Sequence, residues 1–358
     1  MLRTTVAANG MTDIGARKVD HLDLATRGDV GFRSTTTLLE CVKLVHDAVP
    51  ELAYDEIDAS LTLFGKRLTA PILIAAMTGG TERARRINRE LAAIAEERGY
   101  AFGLGSQRAL HKDPGSLPTY DVRDVAPQAL VFGNIGVVQA TASSSAELRE
   151  LIDSVGADAL CVHLNPAMEL VQPSGDRDFR GGLDAIARLV AELGRPVIVK
   201  ETGCGIGPNA AMKLRAAGAA HVDVSGAGGT SWVAVETARA EGLAKSVGET
   251  FRDWGVPTAA SVVFSARAGF ETIFATGGVS TGLQVAQAIA LGASAAGIAR
   301  ASLQALENGG RDAALAFFDR VEAELRTAML LVGARNLSEL ARAPRLLVGE
   351  LPLWLSSF

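Results

Sequence analysis

Four apolar runs, "PILIAAM" from Pro71, "YAFGLGS" from Tyr100, "ALVFGNIG" from Ala129 and "ADALCVHL" from Ala157, begin at steps of 29, 29 and 28 residues. That step is the length of one strand plus one helix, so the chain reads as a series of βα units around a parallel sheet. Four further runs continue the series: "PVIVKE" from Pro196, "AHVDVSG" from Ala220, "ETIFATGG" from Glu271 and "ASAAGIA" from Ala293. Between the first two, "ERARRINRELAAIAEER" sets Ala84, Ile87, Leu91, Ile94 and Ala95 at helical spacing and keeps its charges elsewhere. The strands are nearly continuous apolar runs, as strands buried on both faces are. Eight of them favour a closed (β/α)8 TIM barrel, with a doubly wound open sheet as the alternative.

A length of 358 residues exceeds the usual single domain but is ordinary for such a barrel. Residues 1–70 are read as an N-terminal extension, and 71–358 as the barrel. Within the extension, "YDEIDASLTLFGKRLTAP" has the pattern of a small hairpin that plugs the bottom of the barrel. The sixth and seventh strands start 51 residues apart, at 220 and 271, which calls for a longer loop and an extra helix.

Composition narrows the function. A hydrophobic content of 48% and 38 glycines describe a large core with many tight turns. No apolar run approaches the roughly 20 residues that span a bilayer. The opening "MLRTTVAANG" lacks the apolar centre of a signal peptide, so a cytoplasmic location is expected, with no membrane partner. A net charge of -5 argues against a nucleic-acid partner. Cys41, Cys161 and Cys204 are odd in number and widely spaced, which suits buried apolar thiols rather than disulfides or a metal site.

In a parallel barrel, chemistry collects at the carboxyl ends of the strands. Here those ends carry "MTGGT", "GLGSQR", "GNIG", "HLNPAME", "VKETGCGIG", "SGAGGTSW", "TGGVSTG" and "GIAR". Glycines let backbone approach a ligand, and N–H groups at a helix start cradle an anion. "TGGVSTG" followed one strand later by "GIAR" therefore fits the phosphate site that barrels often build after their last two strands. "GCGIGP" from Gly203 imitates a dinucleotide fingerprint but ends in Pro208, and no GxxxxGK occurs. Lys200 closes the apolar "PVIVK"; buried lysines are rare unless paired, so it is expected to face a ligand, with a pairing to Glu201 or Asp223 as the alternative. Near the N-terminus "ARKVDH" groups Arg17, Lys18 and His21, either a solvated face or a lid over an anion.

Together these segments, from "RKVDH" through "MTGGT", "GLGSQR", "GNIG", "HLN", "GDRDF", "VKE" and "SGAGGTSW" to "GIAR" and "GELPLWL", resemble the type 2 isopentenyl diphosphate isomerases. These are flavoenzymes that use FMN as an acid-base cofactor. The resemblance implies an enzyme of isoprenoid biosynthesis that converts isopentenyl diphosphate to dimethylallyl diphosphate with reduced FMN and Mg2+, NADPH serving as reductant. It implies FMN binding by Met77, Thr78, Gly79, Ser106, Asn134, Lys200, Ser225, Thr230, Gly277, Gly278, Ala299 and Arg300, the last four at the phosphate. It assigns the substrate diphosphate to Arg17, Lys18, His21, Arg108, His163 and Asn165, and Mg2+ to Glu169. Lys200 and His163 become the catalytic candidates, and a homo-oligomer, tetramer or octamer, is implied.

One position departs from the family pattern. Where the family reads "HLNxxQE", this chain has Met168, and a thioether accepts hydrogen bonds weakly and donates none. Either reduced FMN transfers the protons alone or with a water, or the site serves another reaction on a prenyl diphosphate; a neighbouring Gln172 filling the space is the third reading. An FMN-dependent hydroxyacid oxidase is the competing class, but it needs a histidine after the seventh strand, where "ATGGVSTG" has none. A non-catalytic flavin-binding protein would lack diphosphate affinity.

Overall fold

The computed structural model describes residues 13–172 and 175–356. The opening "MLRTTVAANG" and Met11 lie outside the described residues, as do Pro173 and Ser174. All eight expected strands form, and we number them β1 (Ile72–Ile74), β2 (Ala101–Gly103), β3 (Leu130–Gly136), β4 (Ala159–Leu164), β5 (Val197–Glu201), β6 (His221–Asp223), β7 (Thr272–Ala275) and β8 (Ala295–Ile298). Each pairs in parallel with the next and β8 with β1, so the sheet closes into a TIM barrel. Helices cover its outside. That following β1, Glu82–Arg98, starts on the Thr81 hydroxyl, which accepts from Ala84 N–H at 3.1 Å, and stops at Gly99 with φ 67°.

The period-2 geometry of strands explains how the barrel prepares a site. Followed upward, inward-facing positions run Leu130, Phe132, Asn134 on β3; Ala159, Cys161, His163 on β4; and Ile198, Lys200 on β5. Leu73, Phe132, Cys161, Ile198 and Phe274 pack together as the lower interior. One rung higher, the columns of Phe132, Cys161, Ile198 and Phe274 turn polar at Asn134, His163, Lys200 and Thr276. The sequence thus fills the bottom with oil and lines the top with chemistry.

The hairpin Leu61–Leu63 with Lys66–Leu68 closes the bottom as expected. Its turn forces Phe64 to φ 50° and Gly65 to φ 81°. Phe64 is thereby driven up against Phe132 (6.0 Å between ring centroids), His221 (4.8 Å) and Phe274 (6.4 Å). The long interval after β6 holds more than the one extra helix expected: Trp232–Arg239, Gly242–Phe251 and Thr258–Arg267 all lie in it. The apolar C-terminal segment stays with its own barrel. Arg345–Leu347 pairs antiparallel with Val42–Leu44, and the helix Leu351–Ser356 buries Leu351 and Leu355. Cys41 and Cys161 are buried free thiols as expected, whereas Cys204 is only half-buried.

Candidate active site

A cavity opens over the carboxyl ends of the strands, roofed by the helix Asp13–Arg27. Arg17, Lys18, His21, Leu22 and Ala25 line it from above. From the strand ends come Met77 and Thr78, Ser106 and Arg108, Asn134, His163 and Asn165, Lys200, Ser225 and Thr230, Gly277, Ala299 and Arg300. Met168, Glu169 and Gln172 line one wall.

Of the residues named from sequence, only Gly79 and Gly278 are not in this lining. Their smallness serves packing instead. A Cβ on Gly79 would stand 2.0 Å from the Tyr120 ring, and one on Gly278, whose φ is 80°, would stand 2.4 Å from the Thr37 methyl.

Lys200 is paired with Asp223 and also stands in the cavity wall. Its Nζ lines the cavity and also donates to Asp223 Oδ2 at 2.7 Å and to Thr276 Oγ1 at 3.3 Å. Thr276 in turn donates to the other oxygen of Asp223. Pairing is what makes a buried ammonium tolerable. The neighbouring Glu201 points away: its Oε2 accepts from the backbone N–H groups of Thr202 (2.6 Å), Cys204 and Gly205 (3.1 Å). Burial pushes its carboxyl up to about 7 against those three donors. Glu201 therefore shapes the loop that carries Thr202 and Gly203 into the cavity wall.

His163 Nδ1 lies 2.8 Å from Asn134 Oδ1, a bond that fixes the ring when Nδ1 carries the proton. Burial, reinforced by the Lys200 and Arg108 charges, lowers its pKa to about 4, so the imidazole is neutral at physiological pH. Beyond it, Asn165 precedes Pro166, which opens the short helix Pro166–Val171. Asn165 Nδ2 donates to Glu169 Oε1 at 2.9 Å, and Asp176 N–H donates to Oε2 at 2.8 Å. The carboxylate is thus held in place.

The roof is anchored by residues that sequence reasoning missed. His21 Nε2 meets Glu236 Oε1 at 2.8 Å, and Arg239 bridges Glu236 (2.9 Å) and Asp20 (3.1 Å). Burial works to raise the Glu236 carboxyl, but the bond and charge of His21, helped by Arg239 and Arg17, hold it below the usual range. The signal was present: one acid inside the apolar "WVAVETAR" asks for a partner. Lys18 Nζ donates to Tyr120 Oη at 2.7 Å and to the Ser106 carbonyl at 3.1 Å. Burial and then the Arg17 charge lower its pKa to about 7. Arg300 differs from its expected use, because its guanidinium is spent on the carbonyls of Ala25 (2.8 Å) and Gly28 (2.7 Å).

What the cavity lacks says what it takes. Arg17 Nε, Arg108 Nε and Gln172 Oε1 are buried without a hydrogen-bond partner among the described residues. The other arm of Arg108 lies 3.6 Å from Asp176 Oδ2, and the two guanidinium groups together suit an anion. Ala299 caps the helix Arg300–Leu331, whose first-turn N–H groups have no intrahelical acceptor, a second anion seat. No group of three or more His, Cys, Asp or Glu placed to hold a metal ion occurs among the described residues.

Residues 165–346 match the model of the FMN-dependent dehydrogenase family, about half of the chain. The fold agrees: a lactate oxidase of Pediococcus acidilactici superposes with a TM-score of 0.66 at 15% identity over 93% of both chains. A mandelate oxidase holding an FMN adduct superposes with a TM-score of 0.64 at 17% identity, covering 91% of this chain and 95% of that one. The class is therefore an FMN-binding (β/α)8 barrel.

Sequence relatives narrow the class. An isopentenyl-diphosphate delta-isomerase of Methanothermobacter thermautotrophicus is 43% identical over 345 residues, covering 96% of each chain. That of Nostoc sp. is 44% identical, covering 91% of this chain and 93% of its own. The Halobacterium salinarum isomerase is 43% identical over 96% and 97%. This chain belongs to the isopentenyl-diphosphate delta-isomerase family, and it is an FMN-dependent isomerase.

Proposed function

We propose that the protein isomerises isopentenyl diphosphate to dimethylallyl diphosphate in the cavity roofed by Asp13–Arg27, with Mg2+ at Glu169 and NADPH as the reductant that readies the flavin. The observation that carries the site reading is that Arg17, Lys18, His21 and Arg108 line one cavity beside a fixed carboxylate, with Arg17 Nε and Arg108 Nε left without a hydrogen-bond partner. Met77, Thr78, Ser106, Asn134, Lys200, Ser225 and Thr230 would hold the flavin, with its phosphate at Gly277, Ala299 and the backbone of Arg300. Gly79 and Gly278 would support that seat from behind.

Moving the double bond takes one proton onto a carbon and another off the allylic carbon, with no net redox change. Reduced FMN, when bound, supplies an electron-rich ring and the acid-base chemistry. This chain's residues bind and orient. Arg17, Lys18, His21, Arg108, His163 and Asn165 would grip the diphosphate, fixing the alkene against the ring. Lys200 would set the charge beside the ring, tempered by Asp223. The roof helix would exclude water from a carbon centre with cationic character. A single carboxylate at Glu169 suits Mg2+, which keeps waters and takes substrate phosphate oxygens. We further propose that the chain acts in the cytoplasm as a homo-oligomer.

The test is kinetic. Arg17→Ala with Lys18→Ala should raise KM for isopentenyl diphosphate by about two orders of magnitude, as two lost charge-assisted contacts would, with FMN still bound. Unchanged KM would remove the diphosphate from the roof.

A further inference from the structure

We propose that Gln172 is part of the cation site, its Oε1 facing the same hydrated divalent ion as the Glu169 carboxylate. The inference rests on the reading of Glu169 as the ion's carboxylate and adds a residue to it.

Four carboxamides line the cavity: Asn134, Gln139, Asn165 and Gln172. Three are engaged. Asn134 holds His163 at 2.8 Å, Gln139 Nε2 donates to Asp176 at 3.2 Å, and Asn165 Nδ2 donates to Glu169 at 2.9 Å. Gln172 is 3% exposed, and its Oε1 has no partner among the described residues. A buried acceptor left empty is costly, so it calls for a donor or a cation.

Position says which. Gln172 follows Glu169 by three residues at the end of the helix Pro166–Val171, and Glu169 is the single carboxylate among the described residues lining the cavity. Residue 168, one turn before Gln172, could have satisfied that oxygen with a side-chain donor, but Met168 has none. A carboxamide oxygen is a hard, neutral acceptor, suited to Mg2+ or to a water in its shell. The two oxygens together define a cation seat on the wall facing the basic roof, where a diphosphate would complete the ion's coordination.

The measurement is Mn2+ binding to the FMN-loaded protein with saturating inorganic diphosphate, read from the loss of the free-ion EPR signal. Gln172→Met and Gln172→Ala should weaken Mn2+ about tenfold or more, the range seen when a supporting ligand of a metal is removed. Gln172→Met should at the same time raise the Tm of the metal-free protein, because it removes the empty acceptor. Gln172→Glu should retain or tighten Mn2+. Wild-type Mn2+ affinity in both Gln172→Met and Gln172→Ala, with Glu169→Gln abolishing it, overturns the role of Gln172 alone. Unchanged affinity in Glu169→Gln overturns the cation reading of the wall as well.

Discussion

At the scale of single residues, Lys18 has the simplest consequence. Its ammonium is surrounded by the neutral acceptors Ser106 O and Tyr120 Oη and by the Arg17 charge, and its pKa falls to about 7. A depressed lysine opposes folding in its charged form, so that penalty is complete below pH 7 and fades as pH rises toward the ordinary lysine range. A bound anion reverses the sign by favouring the ammonium. At pH 8, diphosphate binding should therefore draw a proton from buffer, visible as a titration enthalpy that depends on the buffer's ionisation enthalpy. Lys18→Arg should abolish the dependence; its absence from the unaltered protein would refute the low pKa. Lys200 offers a second test. Lys200→Met strands a buried Asp223 and should cost about 3–5 kcal/mol in urea unfolding. Adding Asp223→Asn should recover much of that loss, and equal stability of the two variants would mean that the pair is not coupled.

At the scale of elements, the roof helix depends on a short chain of charges, His21 to Glu236 to Arg239 to Asp20. Because the Glu236 pKa is depressed in the fold, its contribution is present above the ordinary carboxylate range and is lost as pH falls below that range through the depressed value. Glu236→Ala should speed hydrogen exchange of amides 17–27 by about tenfold or more, matching the 1.5–3 kcal/mol of a charged hydrogen bond. Unaltered exchange would show that the helix is held by other contacts. The hairpin is a separate matter. Phe64→Ala should cost about 2–4 kcal/mol through the lost plug, yet leave FMN binding alone, since the bottom of the barrel is remote from the cavity.

At the scale of the molecule, the barrel was legible because its signal is redundant: eight apolar runs, a near-constant step between the first four, and polar residues at every strand end. The site was legible where strand periodicity dictates it, as with Asn134, His163 and Lys200 on the polar rung. It was not legible where long-range packing decides. Nothing local marks Glu236 as the partner of His21, 215 positions away, and nothing local says that Arg300 turns its guanidinium to Ala25 and Gly28 while Gly79 makes room for Tyr120. Met168 stood out in the sequence, but the empty acceptor at Gln172 needed coordinates. Outside, Leu243 (81% exposed), Val247, Phe251 and Trp254 (63%) leave an apolar stripe on and just after the helix Gly242–Phe251. If the proposed homo-oligomer uses that face, Leu243→Asp with Trp254→Arg should give a monomer by light scattering. An intact assembly would assign the contact elsewhere.

The most direct measurement follows the reaction itself. The FMN-loaded protein, reduced anaerobically with dithionite, is mixed with Mg2+ and isopentenyl diphosphate in D2O and followed by NMR. Deuterated dimethylallyl diphosphate is expected, formed with a thioether at position 168. Unchanged, undeuterated isopentenyl diphosphate, with the flavin bound and reduced, would contradict the isomerase reading of this cavity.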